Sequence, residues 1–369
     1  MNKKTRSPLF HIAKRSSLPW YTAWAIRGGA LILALLVCAV VTALLTGENA
    51  FQLYVTMFTG SFGSVRKFWA LLQNIAMLLC VSLAVTPAFR MRCWNLGGEG
   101  QVLIGGLASV LVMTSLSSSL PNGLLILVMI LASVLAGAVW AGIPAIFKAQ
   151  WNTNETLFTL MMNYVATQLV AFYIAYRFPK GTGTMGIING NTRLGWLPSL
   201  LGQPYLINIL TVAVLTVLVY VYLRYSKHGY EIAVVGESER TARYVGIKVK
   251  RVIVRTMLLS GAICGIAGFL LVSGTDHSLS TTSAGGRGFT AVMVSWLAKF
   301  NPIWMIFTSF LLVFLGRGAS EIASSFKLNQ SFGDILTGII LFFIIGSEFF
   351  IQYKILLTKS AEKEEKDNV

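Results

Sequence analysis

Ten apolar stretches joined by short polar connections occupy most of this chain and leave it few ways to fold. A helix crossing the roughly 30 Å hydrocarbon core of a bilayer uses about 20 mostly apolar residues. Leu31–Leu45 and Leu206–Tyr222 run without a single charge. In lipid the backbone must satisfy its own hydrogen bonds, which leaves helices or closed barrels. Continuous apolar runs, without period-two alternation, select helices. The predicted spans are 28–46, 69–87, 101–117, 124–147, 156–176, 206–223, 252–274, 288–299, 302–316 and 335–353. The eighth and ninth are short, and read either as two crossings or as a broken, re-entrant pair. The expected fold is an all-α polytopic membrane protein of about 10 transmembrane helices.

The charge pattern supports this. Only 12% of the 369 residues are charged and the mean hydropathy is +0.69, whereas soluble domains carry about 25% charged residues. With the N-terminus inside, the inner segments hold 21 Lys or Arg and the outer ones 8, with Arg255 inside a span. That asymmetry predicts both termini in the cytoplasm and a multi-pass protein of the cell membrane. The predicted organisation is a basic tail (1–27), a transmembrane domain (28–357) with a cytoplasmic loop (224–251), and a charged tail (358–369). The net charge of +16 is explained by the same rule. No basic stripe interleaved with exposed aromatics indicates a nucleic acid. The 27-residue polar lead is long for a cleaved signal peptide, so the first helix is expected to be retained.

Enzyme chemistry finds little support. Cys38, Cys80, Cys93 and Cys264 lack CxxC spacing and read as small buried hydrophobes. His11, His228 and His277 are scattered and assemble no metal cluster or nucleophile triad. The glycine cluster Gly285–Gly288 lacks the lysine of a phosphate loop. If ATP is used, another chain must bind and hydrolyse it, and no bound cofactor is expected.

Two regions carry candidate function. The loop 224–251 holds seven Lys or Arg; Ser238 can cap a short helix and Gly246 can end it in a left-handed turn. Ala242, Tyr244 and Val245 among Glu239, Arg240 and Arg243 make an amphipathic stub suited to a partner's groove; a solvated basic loop is the plain alternative. The second region is polar and lies at membrane depth. Asn95, Glu99 and Gln101, with Gly97, Gly98 and Gly100, require partners or a water-filled cavity. Glu99 either accepts from a solute hydroxyl or pairs with Arg90 or Arg92. Asn74, Thr159, Asn163 and Gln168 either line a path for a polar solute or bond between helices. Thr159 and Asn163 share a helix face, and Asn163 is the first choice as a pathway residue. Glycines 261, 265 and 268, and Gly105, Gly106 and Ala108, are expected to serve close helix contacts.

Four motifs in order give a family resemblance. Gly229–Arg251 resembles the coupling-helix region of permease subunits of ATP-binding-cassette (ABC) importers for simple sugars, nucleosides and branched-chain amino acids. Gly236, Thr241, Ala242, Gly246 and Ile247 fit its G-x-x-x-x-A-A-x-x-x-G-I form, with Thr241 replacing the first alanine and Glu237, Ser238 and Arg243 inside it. Asn95–Gln101 (NLGGEGQ) and Asn154–Ala166 (NETLFTLMMNYVA) resemble signatures of the nucleoside and simple-sugar branch. Gly288–Pro302 resembles a glycine-led helix ending in an Asn-Pro corner. The resemblance implies a type II importer-like fold and its partners: separate ATPase subunits docked on 236–247, a second homologous permease chain, and an extracytoplasmic substrate-binding lipoprotein. It implies nucleoside uptake, with simple sugars or branched-chain amino acids as the alternative. The rival class is an ion-gradient-driven secondary transporter using Glu99, Glu155 or Glu348.

Overall fold

The computed structural model describes residues 10–15, 19–47, 50–177 and 185–357, and these are almost wholly helical. A short strand β1 (Phe10–Lys14) precedes α1 (Trp20–Thr46), α2 (Ala50–Phe62), α3 (Val65–Arg90), α4 (Gly98–Leu116), α5 (Asn122–Trp151), α6 (Glu155–Arg177) and α7 (Leu206–Tyr225). Next come α8 (Lys227–Glu237), α9 (Glu239–Tyr244), α10 (Val249–Leu271), a π-turn (Val272–Asp276), α11 (Arg287–Leu297), α12 (Pro302–Ser325), α13 (Gln330–Gln352) and strand β2 (Tyr353–Leu357).

Among the described residues, nine helices are long and apolar enough to cross a membrane. They correspond to nine of the ten expected spans. The exception is 288–299, where α11 has 11 residues, about 16 Å of helix and half a crossing. Its neighbour is longer than expected, 24 residues in place of 302–316. Gly285 and Gly286, at φ +62° and +70°, break the chain before α11, in the left-handed region that glycine enters freely. Lys299 and Phe300 are also left-handed, and Pro302 opens α12. The helix α2, with 13 residues, was not among the expected elements.

The chain divides into two compact units. One contains Met1–Ser64 and Leu315–Val369. Within it α1 lies along α13, and Arg27 Nε donates to Glu348 Oε1 at 2.9 Å. Arg27, assigned from sequence to the polar tail, therefore belongs to α1. Strands β1 and β2 pair antiparallel, Phe10 opposite Leu357 and Lys14 opposite Tyr353, so both ends of the described chain lie on the same side. The charged tail 358–369 lies outside the described residues.

The other unit, Val65–Phe314, has a core of α3, α4, α5 and α10. Backbones meet there directly. A Cβ on Gly137 would lie 2.2 Å from Gly261 O, one on Gly265 2.1 Å from Ser133 O, and one on Gly268 2.3 Å from Val102 O. The expected small-residue faces of α10 and α4 are thus contacts where no side chain fits. Ala108 is the exception, being only partly buried.

Candidate functional site

The irregular stretch between α3 and α4 is held by side chains from three helices. Asn95 is fully buried. Its Oδ1 accepts from Gly97 N–H and Gln101 Nε2, both at 3.0 Å, and its Nδ2 donates to Ser260 Oγ on α10 at 2.9 Å. From α6, Thr159 Oγ1 accepts from Leu96 N–H at 3.2 Å. Asn163, one turn on, donates to Leu96 O and accepts from Gly100 N–H, both at 2.8 Å. Gly100 is required here: its Cβ would lie 2.9 Å from Asn163 Cα. Of the sequence-predicted pathway residues, Asn95, Gln101, Thr159 and Asn163 thus form one enclosed network, whose polar atoms serve backbone and one another.

Glu99 borders this network but faces α11. Its two carboxylate oxygens accept from Gly286 N–H and Gly288 N–H, each at 2.8 Å. Neither expected arginine is its partner; Arg90 instead donates to Leu223 O at 3.2 Å. Glu99 lies in the first turn of α4, so one carboxylate meets the N-terminal ends of two helices, where backbone N–H groups lack helical partners. The approach is close, for a Cβ on Gly288 would lie 2.4 Å from Glu99 N.

Asn74 stands apart from the network. Its Oδ1 accepts from Arg287 Nη2 at 3.1 Å, and Arg287 Nη1 also donates to Ser283 O at 3.2 Å. Asn74 is nine residues into α3, about 14 Å from its start. Ser295, near the end of α11, donates to Ser82 O at 3.1 Å, further along α3. The half-helix therefore begins beside the middle of α3, and the segment before it enters the depth of the bundle. Beside it, Gln73 Nε2 donates to Thr275 Oγ1, and Asn208 Nδ2 to the same oxygen at 3.3 Å. Gln73 Oε1 and Asn208 Oδ1 are buried without a protein partner. Arg287, Gln73, Thr275 and Asn208 were not selected from sequence; their signal was polarity inside or beside an apolar run, which does not tell a path from a helix contact.

The carboxylates of the rival reading all have structural partners. Glu155 is 3.0 Å from Lys148 Nζ, Glu348 pairs with Arg27, and Glu99 takes two backbone donors.

The segment α8–α9 hangs from the ends of the long helices. Ser226 caps α8 by accepting from Gly229 N–H, and Ser238 caps α9 by accepting from Thr241 N–H at 3.2 Å. Gly246 follows α9 at φ +85°, as its place in the motif predicts. Gly236 is pressed on α3, where a Cβ would lie 2.2 Å from Arg90 O. Arg255 on α10 pairs with Glu231 on α8 at 2.8 Å. Ala242 departs from the expected stub, being fully buried, because that face of α9 turns toward α8 and α10. Tyr244 and Val245 are 95% and 62% exposed, and Glu237, Thr241 and Arg243 are exposed beside them. Ile247 is half-buried.

The sequence that builds this arrangement, helices packed through glycine with a capped two-helix element at the span ends, matches a family model. The permease component of the branched-chain amino acid transport system matches residues 67–345. The chain belongs to this permease family. It is an ABC transporter permease, a multi-pass protein of the plasma membrane. The glucose ABC transporter permease TsgB13 of Haloferax volcanii is 29% identical, over 90% of this chain and 90% of the relative. The guanosine permease NupP of Bacillus subtilis is 28% identical over 86% of this chain and 92% of its own. The nucleoside permease NupB of Lactococcus lactis is 27% identical, covering 86% and 90%.

Proposed function

We propose that this permease carries nucleosides into the cell, driven by ATP that separate ATPase subunits hydrolyse. The segment α8–α9 is the docking element, with Gly236, Glu237, Ser238, Thr241, Ala242, Arg243, Gly246 and Ile247 forming or supporting its surface. The observation that carries this reading is the double attachment of that segment. Gly236 bears on the end of α3 and Glu231 is tied to Arg255 of α10, so a push on α9 reaches two core helices. An extracytoplasmic binding lipoprotein delivers the solute, and a second, homologous permease completes the membrane unit. Both termini are cytoplasmic, and the permease domain runs from the start of α1 at Trp20 to about residue 357, between the two tails.

The solute path is proposed beside the segment 276–290. Asp276, Thr282, Gly285 and Gly286 are exposed there. Irregular, exposed backbone at membrane depth is tolerated where it lines protein or water, not lipid. Asn74 positions Arg287 at this path, and Glu99 holds the start of α11. Asn95, Gln101, Thr159 and Asn163 keep the wall behind it in shape.

NupP and NupB support nucleosides, and the NETLFTLMMNYVA segment points the same way. TsgB13 favours a second reading, a simple sugar. Uptake by proteoliposomes holding the complete transporter separates them: radiolabelled guanosine and uridine are expected to accumulate, with glucose and leucine at background. Accumulation of glucose alone would overturn the nucleoside assignment and leave the permease standing.

A further inference from the structure

A cleft of about 440 Å³ opens between α8, the turn after α9 and the first two turns of α10. Its lining is strongly basic. Lys227 comes from α8, and Lys248, Arg251 and Arg255 follow one face of α10 and its approach, against a single carboxylate, Glu231. Glu231 is already held by Arg255 Nη2. The Nε of that guanidinium is buried and has no partner, although a charged donor left alone is costly. Four cations facing one committed carboxylate leave the cleft with positive charge to be matched.

From this cleft we infer a binding site for the phosphate headgroup of an anionic phospholipid such as phosphatidylglycerol. Position favours a lipid over a soluble anion. Lys227 stands two residues beyond the end of α7, and Arg251 two residues beyond the start of α10, where headgroups meet a spanning bundle. Val214, Val217, Leu218 and Val221 expose an apolar stripe on α7, the helix that leads directly into α8, and such a stripe suits an acyl chain. Exposed Tyr230 lines the cleft, as amphipathic rings do at a membrane interface. Basic pockets between helix ends are suited to anionic headgroups. A lipid here would brace α8 against α10 at the root of the docking segment, and this inference does not depend on which solute is carried.

Native mass spectrometry of the full chain, with phosphatidylglycerol and phosphatidylcholine supplied equally, tests the site. The wild type is expected to retain phosphatidylglycerol preferentially. The double variant Lys227→Gln, Arg251→Gln should lose about tenfold or more of that retention, at about 1 kcal/mol per basic group. Lys248→Gln alone, at an exposed position, should lose severalfold and guards against misfolding of the double variant. Arg66→Gln, at the opposite end of α3, should change nothing. Equal retention of both lipids, or undiminished phosphatidylglycerol in the double variant, would overturn the site. Displacement of the lipid by millimolar inorganic phosphate would overturn the lipid assignment in favour of a soluble anion.

Discussion

The amide of Asn163 uses both of its polar ends on backbone groups of a neighbouring segment, Leu96 O and Gly100 N–H. Asn163→Leu removes both partners, at roughly 1–3 kcal/mol for each buried group left alone. The expected result is a lower melting temperature of the purified permease with uptake per folded molecule retained. Normal melting with lost uptake would return Asn163 to the path. His277 offers a residue-level pH prediction. Its ring stacks on Trp196 at 3.7 Å, and burial pushes the imidazole below its ordinary range. A depressed base contributes stability that is present above the ordinary imidazole pKa and lost as pH falls through the lowered one. Limited proteolysis of 185–205 should therefore increase on acidification. In His277→Asn, which tolerates the left-handed backbone and does not titrate, cleavage should not vary with pH. At this scale polarity was legible in the sequence and partnership was not. The residues of the 95–101 motif were visible, but that Glu99 would cap α11 depended on a fold bringing residues nearly two hundred positions apart together.

Helix α9 and the turn after it show how two glycines can matter for opposite reasons. Gly236 lacks room for a Cβ, whereas Gly246 has open space but a left-handed backbone. Gly236→Ala should push α8 off α3. Gly246→Val should strain the turn by about 1–2 kcal/mol while leaving the bundle intact. Both variants are expected to insert normally, and transporters assembled with either should hydrolyse ATP at their ATPase subunits without proportionate uptake, measured as the ratio of the two rates. Unchanged ratios in both would remove α8–α9 from the coupling route. The capped start and glycine stop of α9 were readable because they are local signals. The burial of Ala242 was not, since it depends on where α8 and α10 lie. Likewise α11 was visible as a short apolar run between glycines and an Asn-Pro corner, but its half-crossing required its contacts with Asn74 and Ser82. The helix α2 and the β1–β2 pair went unread. The first is shorter than a span, and the second pairs two segments far apart in the sequence, Phe10–Lys14 and Tyr353–Leu357.

For the whole molecule, long apolar runs made the class of fold legible, because lipid permits so few backbone arrangements. Glycines at 137, 261, 265 and 268 then determine which helices meet, and that pairing was readable only as a tendency to close contact. The basic asymmetry of the loops predicts the orientation, and pairing of β1 with β2 puts Phe10–Lys14 and Tyr353–Leu357 on one side. Function at this scale turns on what drives the bundle. The most direct measurement is uptake of radiolabelled nucleoside by proteoliposomes holding the complete transporter, with ATP supplied to the ATPase subunits and all ion gradients collapsed by ionophores. Uptake that persists and rises with ATP hydrolysis is the predicted result. Uptake that disappears with the gradients, and returns with an imposed ion gradient in the absence of ATP, would contradict the account.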